Sequence, residues 1–336
     1  MKPTRYTFPL LALILILVAA SMIEWEEPTE IAEPQGVESV FTGFREVDDY
    51  PLYVLHYNGD YGFSEYLATG ETPLTGGYYR PGCTVFTASG GDEALMGRNF
   101  DFPSNPALLL YTDPPDGYAS VSMVDLGFFG YSLDSLPQED DLGSLLTAPY
   151  LPFDGMNEKG LAVGMAAIPE ALAPVSEGKT TIGEIQVIRL LLDYAGDVDE
   201  ALALLEEYNV EMTTPPIHYM IADRSGESVV VEYIQGEMQV LREETPCQVM
   251  TNYIIQGAQT GLDAPCWRYR AVYEGLSEYN GVVSAAEAMD LLSEASQSST
   301  IWSIVYDAST GEMHVAMGGS YERVHTFSLN MTGGSP

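Results

Sequence analysis

The chain has 336 residues, 46% of them hydrophobic, with 49 acids against 13 bases and a formal net charge of −36. That length can bury one large core or two small ones, and that charge repels polyanions, which excludes nucleic acid as a partner. The acids are scattered and lysine is confined to Lys2, Lys159 and Lys179, a surface that fits a salt-adapted protein and equally an ordinary acidic exported one.

Lys2 and Arg5 precede an apolar run, residues 8–23, ending near the small residues Ala19, Ala20 and Ser21. Sixteen residues fall short of the roughly 20 that span a bilayer, and the small residues resemble a signal-peptidase site. Residues 1–23 are therefore expected to be a signal peptide or, uncleaved, a membrane anchor, which makes the protein secreted or extracytoplasmic. Residues 24–82 read as an acidic tether and propeptide. Within them, 46–70 carry a strand-like apolar core with several aromatics, and 72–82 form a Gly- and Pro-rich loop.

From Cys83 onward the pattern is strand, turn, strand: CTVFTAS alternates, GGDE turns and ALMGRNFDF returns. A second strand pair is expected over 156–169. Residues 180–208 have helical spacing, broken at Gly196-Asp197, with Asp197 or Asp199 capping the second helix. Strands then dominate to about 254, helices are expected over 271–279 and 284–297, and 300–319 read as a hairpin around Ser309-Thr310-Gly311. Strands on either side of a central helical pair predict a layered α+β fold.

In an oxidising compartment three cysteines are an odd number. Cys247 and Cys266 are 19 residues apart and are candidates for a disulfide, leaving Cys83 as a core thiol or a thiol kept for chemistry. Amide chemistry by a cysteine needs a base and oxyanion donors. None of His56, His218, His314 and His325 sits in a persuasive motif. The other solution is an N-terminal cysteine whose own α-amine, with a pKa near 8, is the base. It requires cutting the bond between Gly82 and Cys83.

Seven stretches, CTVFTA, GRNFDF, DGMNEKGLAVG, HYMIADRSGESVVVEY, MTNY, WRYR and TIWSIVYD, lie in one order between residues 83 and about 329. In that order they resemble the choloylglycine hydrolase family of N-terminal-nucleophile amidases. The resemblance implies a four-layer αββα sandwich of two antiparallel sheets, with 83–336 as the catalytic domain. It implies a linear, non-peptide amide as substrate, a small N-acyl compound, with no metal and no cofactor. Cys83 would be the nucleophile, Arg98 would favour its thiolate, and Asp101 would orient the new α-amine. Asn252 and the backbone N–H of Ala167 would hold the oxyanion, and Arg268 would add positive charge. Ala167 stands where many relatives carry asparagine or tyrosine, which leaves the substrate open. Side-chain alternation sends Arg98 and Asp101 to opposite faces unless the strand bends or ends there.

Other readings stay open on the sequence. Arg270 could serve in place of Arg268, Arg98 and Asp101 could be a structural pair, and Asn252 could be a turn residue. Asn157, Glu158 and Asp223 read as turn formers and His218 as a satisfied core histidine. The same thioester would serve an acyltransferase, and the same fold a binding protein. A homo-oligomer is left open, and a membrane is a partner only through residues 8–23.

Overall fold

The computed structural model describes residues 40–71, 82–212 and 215–332. The expected leader, the tether up to residue 39 and the loop 72–81 lie outside the described residues.

The chain begins with β1 (Phe41–Asp48), β2 (Leu52–Asn58) and helix α1 (Phe63–Thr69). The hairpin at the cysteine follows as β3 (Gly82–Ala88) and β4 (Leu95–Asp101), then β5 (Ala107–Asp113) and β6 (Ser120–Asp125). Two 3-10 segments, Leu126–Phe129 and Gly143–Tyr150, lead to β7 (Asp154–Asn157) and β8 (Ala162–Ala167). A short β9 (Thr181–Gly183) precedes the helical pair α2 (Gln186–Tyr194) and α3 (Val198–Glu207). Strands β10 (Asn209–Glu211), β11 (Ile217–Ala222), β12 (Ser228–Ile234), β13 (Glu237–Leu241) and β14 (Cys247–Thr251) come next. The chain closes with α4 (Trp267–Glu278), α5 (Ala285–Glu294), β15 (Thr300–Asp307), β16 (Glu312–Met317) and β17 (Val324–Ser328).

These strands form a nine-stranded sheet, β1-β2-β5-β6-β7-β8-β11-β12-β13, a six-stranded sheet, β14-β3-β4-β15-β16-β17, and a separate parallel pair, β9-β10. The larger core cluster, including Leu109, Met123, Val163, Met220 and Trp302, lies between the sheets and continues under α2, whereas Phe86, Val249, Val272, Leu276 and Leu292 join the smaller sheet to α4 and α5. The result is the expected αββα sandwich, with one departure. β2 pairs with β5 in parallel through seven residue pairs, Leu52↔Ala107 to Asn58↔Asp113, so the larger sheet is mixed. That pairing also takes residues upstream of Cys83 into the core, since Leu52, Val54, Leu55, Phe63 and Tyr66 are buried.

Local expectations are met where the signal is local. Asp197 caps α3 by accepting from the Glu200 N–H at 2.9 Å. The helix expected over 284–297 is α5, which opens on a full capping box of Ser284 and Glu287. Gly311, at φ 82°, closes the last hairpin in a backbone region that disfavours other residues. Asn157 holds the turn after β7, its Oδ1 accepting from the Lys159 and Leu161 N–H groups. Asp223 shapes the β11–β12 turn by accepting from Ser225 N–H.

Two carboxyls on the core carry a pH signature. Burial pushes Asp193 up to about 6 against the opposing pull of Arg189 and Tyr61, and burial pushes Asp125 up to about 6 despite bonds from Gly127 and Asn105. Both folded values lie above the ordinary carboxylate value of about 3.9. The folded state therefore binds more protons than the unfolded chain between about pH 4 and pH 6, and stability falls as pH rises through that window. Relief of the −36 charge acts in the same direction. Asp48 and Glu232, held below their usual range, act the other way only at lower pH. Calorimetry is expected to show a higher melting temperature at pH 5 than at pH 7.5, with a shallower slope in Asp193→Asn.

Candidate active site

Cys83 is wholly buried at the start of β3, one residue into the strand. Pairing with β4 sets Gly82 opposite Asp101, Cys83 opposite Phe100 and Val85 opposite Arg98. Alternation along β4 then sorts its side chains. Met96, Arg98 and Phe100 face the space between the sheets, while Asn99 reaches outward to the Leu292 carbonyl on α5. Asp101, also turned outward, accepts from Thr300 and Gln297. β4 ends at Asp101, and its pairing with β15 slips between Thr300 and Trp302, as the motif spacing demands. Arg98 and Asp101 nevertheless stay on opposite faces, and Cys83 lies between them.

On the inner face, Arg98 Nη2 lies 3.4 Å from Cys83 Sγ. The guanidinium also covers the Phe100 ring at 5.0 Å and binds Asp154 at 2.6 Å and the Phe153 carbonyl. On the outer face, Arg268 donates to the Cys83 carbonyl, to Thr84 Oγ1 at 3.1 Å, to Asp101 Oδ2 at 3.4 Å and to Asn252 Oδ1 at 2.7 Å. Arg270 is turned to the Ala264 carbonyl at 2.6 Å and takes no part. WRYR is thus the first turn of a helix, which the sequence reading started four residues later.

Asn252 completes the arrangement. Its Oδ1 accepts the Cys83 backbone N–H at 2.7 Å and its Nδ2 donates to the Ala167 carbonyl at 2.8 Å. Ile168 N–H bonds to Pro216 on the β11 side, so alternation of the ladder turns the Ala167 N–H and C=O away from β11, on the side where Asn252 lies. Cys83, Arg98, Asp101, Asn252, Arg268 and Ala167 are therefore one cluster, drawn from β3, β4, β8, α4 and the turn after β14.

In the intact chain burial pushes the Cys83 thiol up, and Asp101 adds to this; Arg98 pulls toward the thiolate, and Arg268 with it, without prevailing. Burial likewise raises the Asp101 carboxyl against the bonds from Thr300 and Gln297 and the charge of Arg268. The disulfide expectation is corrected, because all three cysteines are free thiols. Cys247 faces Thr245 at the head of β14, and Cys266 precedes α4, where burial is outweighed by bonds to Thr251 and to the backbone of Tyr269 and Arg268, holding its thiol below the usual range.

The model of the choloylglycine hydrolase family, linear amide C–N hydrolases, matches residues 83–255 and so begins at Cys83 itself. The chain belongs to the choloylglycine hydrolase family. It is 32% identical over 123 residues to the penicillin V acylase of Pectobacterium atrosepticum, a match covering 33% of this chain and 32% of that relative. The aligned stretch is thus about a third of that curated relative's length. The fold is that of the penicillin V acylase from Agrobacterium tumefaciens, at 16% identity and a TM-score of 0.52 over 74% of this chain and 86% of that one. A variant of the conjugated bile acid hydrolase from Clostridium perfringens matches at 16% identity and a TM-score of 0.53, over 74% of this chain and 92% of that one.

The sequence reading of this family member missed Asp154, at the head of the motif DGMNEKG. Its carboxylate is fully buried and accepts from Arg98, from Trp302 Nε1 at 3.1 Å and from the Tyr306 hydroxyl at 2.5 Å. Three donors and no offered hydrogen make it the counter-ion that fixes Arg98 under the thiol. The signal lay in TIWSIVYD, where Trp302 and Tyr306, four apart on a strand, share a face. Asp154→Ala would leave Arg98 buried without a counter-ion and is expected to cost about 3–5 kcal/mol in urea unfolding. Arg98→Met with Asp154→Leu should recover most of that loss.

Proposed function

We propose that this protein hydrolyses a linear N-acyl amide through a thioester on Cys83, after the chain is cut between Gly82 and Cys83. The observation that carries the reading is the convergence on one buried cysteine of Arg98 at the sulfur, Asn252 at the nitrogen and Arg268 at the carbonyl. That the family match starts at the same residue supports it.

For the cut, Cys83 Sγ attacks the Gly82 carbonyl carbon, the C–N bond breaks with its electron pair on the Cys83 nitrogen, and the thiol proton passes to that nitrogen, which becomes an amine. Water then hydrolyses the resulting thioester, leaving Gly82 with a carboxylate and Cys83 with a free amine and thiol. Glycine suits this position, since an added Cβ would come within 3.1 Å of Asp101 Cβ and Gln297 Nε2. The new amine would stay near Asn252 Oδ1, with the Asp101 carboxylate across the hairpin to hold it. In turnover the amine takes the thiol proton and the thiolate attacks the substrate carbonyl. The oxyanion would be met by Asn252 Nδ2 and the Ala167 N–H, and Arg268 would lower the energy of the developing charge. The C–N bond breaks as the leaving amine takes the proton, and water releases the acid and restores the thiol. Hydrolysis rather than transfer to a second amine is the simpler reading, because water serves both the cut and the turnover.

Phe100 leads from Cys83 into a run of rings, Phe102, Phe128 and Phe153, with centroids 5.0–5.9 Å apart. Phe102 and Phe128 are partly exposed, which favours an apolar acyl group at this end. Export, on the strength of residues 8–23, would put the enzyme outside the cytoplasm. Among the described residues no helix is long and apolar enough to cross a membrane.

After the cut, the upstream piece would remain bound. It supplies two strands of the nine-stranded sheet, the Tyr61 hydroxyl donates to Asp193 at 2.6 Å, and Tyr150 donates to the Tyr61 carbonyl at 3.0 Å. Purified protein is expected to give two chains on a denaturing gel, the larger beginning at Cys83, and one particle of their summed mass by native mass spectrometry. Cys83→Ala should stay whole, and Gly82→Ala should be cut several-fold more slowly. A wild type that remains joined at Gly82-Cys83 would remove the α-amine and with it the mechanism.

A further inference from the structure

Behind the turn that carries Asn252 sits a pair of residues that the mechanism has not used. His218 on β11 and Glu232 on β12 are both wholly buried in the larger sheet. Their contacts run to the two ends of one turn. His218 Nε2 lies 2.9 Å from the Thr251 carbonyl, immediately before Asn252. His218 Nδ1 lies 2.9 Å from Glu232 Oε1. The same carboxylate accepts the Ile255 N–H at 2.8 Å on Oε1 and the Gln256 N–H at 2.9 Å on Oε2.

We infer that His218 and Glu232 are positioning residues that clamp the turn 251–256 at both ends and so fix Asn252 against Cys83. The chemistry of the partners supports this assignment. A backbone carbonyl only accepts, so the Thr251 contact requires a hydrogen on Nε2, and the second ring nitrogen is left to share a proton with Glu232. Burial works against the Glu232 carboxylate, but the bonds from His218, Ile255 and Gln256 outweigh it and hold its carboxyl below the usual range. Within the turn, Tyr253 N–H bonds back to the Thr251 carbonyl at 2.9 Å and Ala258 N–H to the Ile255 carbonyl at 2.9 Å, while Ile255 is buried and the Tyr253 ring packs on Tyr269. The Asn252 amide bonds to Cys83 on β3 of its own sheet and to Ala167 on β8 of the larger one, and meets α4 through Arg268. A turn free to shift by an ångström would carry the oxyanion donor off target, a loss expected in the chemical step and not in binding.

The consequence for catalysis rests on the proposed amide hydrolysis, so the experiment has two arms. The first measures hydrogen–deuterium exchange on the wild-type protein and needs no substrate. Ile255 and Gln256 amides should exchange at least a hundredfold more slowly than an open turn allows, and Glu232→Gln, which cannot accept both bonds, should release them. Fast exchange in the wild type overturns the clamp. The second arm measures kcat and KM on p-nitroanilides of phenylacetic and of medium-chain fatty acids. Glu232→Gln should lower kcat ten- to a hundredfold with KM within threefold, and should lower it less than twofold further in an Asn252→Ala background. Equal losses in both backgrounds would mean that the pair acts elsewhere and overturn the inference. If Glu232→Gln does not fold, His218→Asn takes its place in both arms, and the wild-type exchange decides alone if neither folds. A wild type that cleaves none of the anilides counts against the amidase reading, and the exchange arm then decides the clamp by itself.

Discussion

β3 lies against β4 with Cys83 opposite Phe100 and Gly82 opposite Asp101, and that register governs everything else at the site. A strand has two faces, and a residue's place in the ladder decides which one its side chain takes. In this register the Cys83 sulfur enters the space between the sheets, where Arg98 waits, while its peptide groups lie along the strand within reach of Asn252 and Arg268. A slip of one residue in β3 would put the sulfur among the helices, and a slip in β4 would put Arg98 against α5. The hairpin is therefore pinned heavily, by the apolar faces of two cores on either side of it and by β14 and β15 as neighbours.

The cost of the register is buried charge. Arg98 and Asp154 are both without solvent exposure, and Arg268 and Asp101 nearly so. Ionised groups in such surroundings survive only when each finds several partners. Asp154 does so with three donors, and Arg98 with a carboxylate, a carbonyl, a ring face and a thiol. The thiol gains the least, since burial holds it protonated while the chain is whole. The proposed cut would change that balance, because it would place an amine beside the sulfur and give the outer carboxylate, Asp101, a charged partner.

Much of this was legible in the sequence, unevenly. The hairpins at 83–101 and 300–319, the helical break at Gly196-Asp197 and the helix opening at Ser284 are written in neighbouring residues, and local chemistry suffices to read them. The cluster of Cys83, Arg98, Asp101, Ala167, Asn252 and Arg268 was legible only through motifs taken together, because its members are up to 185 residues apart. Residues 103–153 gave no clear pattern: ALLLYTD is a continuous apolar run, and only burial on both faces of the sheet explains it. The parallel pairing of β2 with β5 was hidden for a similar reason, since nothing within residues 46–70 names a partner. The Cys247–Cys266 pairing failed because spacing says nothing about where two strand and helix ends point. Asp154 and Glu232 were passed over, and His218 was read only as a satisfied core histidine, because a buried polar residue declares its partners only when distant parts of the chain meet.

The upstream segment draws these lines together. An activation cut usually suggests a piece to be discarded, yet residues 41–58 contribute the edge of the larger sheet and Tyr61 reaches the buried pair Arg189–Asp193, whose members stand 2.9 Å apart. Removing the segment would strip β5 of its neighbour and expose its apolar run as an open edge. It would also take from the buried Asp193 carboxylate the hydroxyl of Tyr61. The sandwich thus depends on residues that precede Cys83, and the proposed cut between Gly82 and Cys83 would leave these contacts in place.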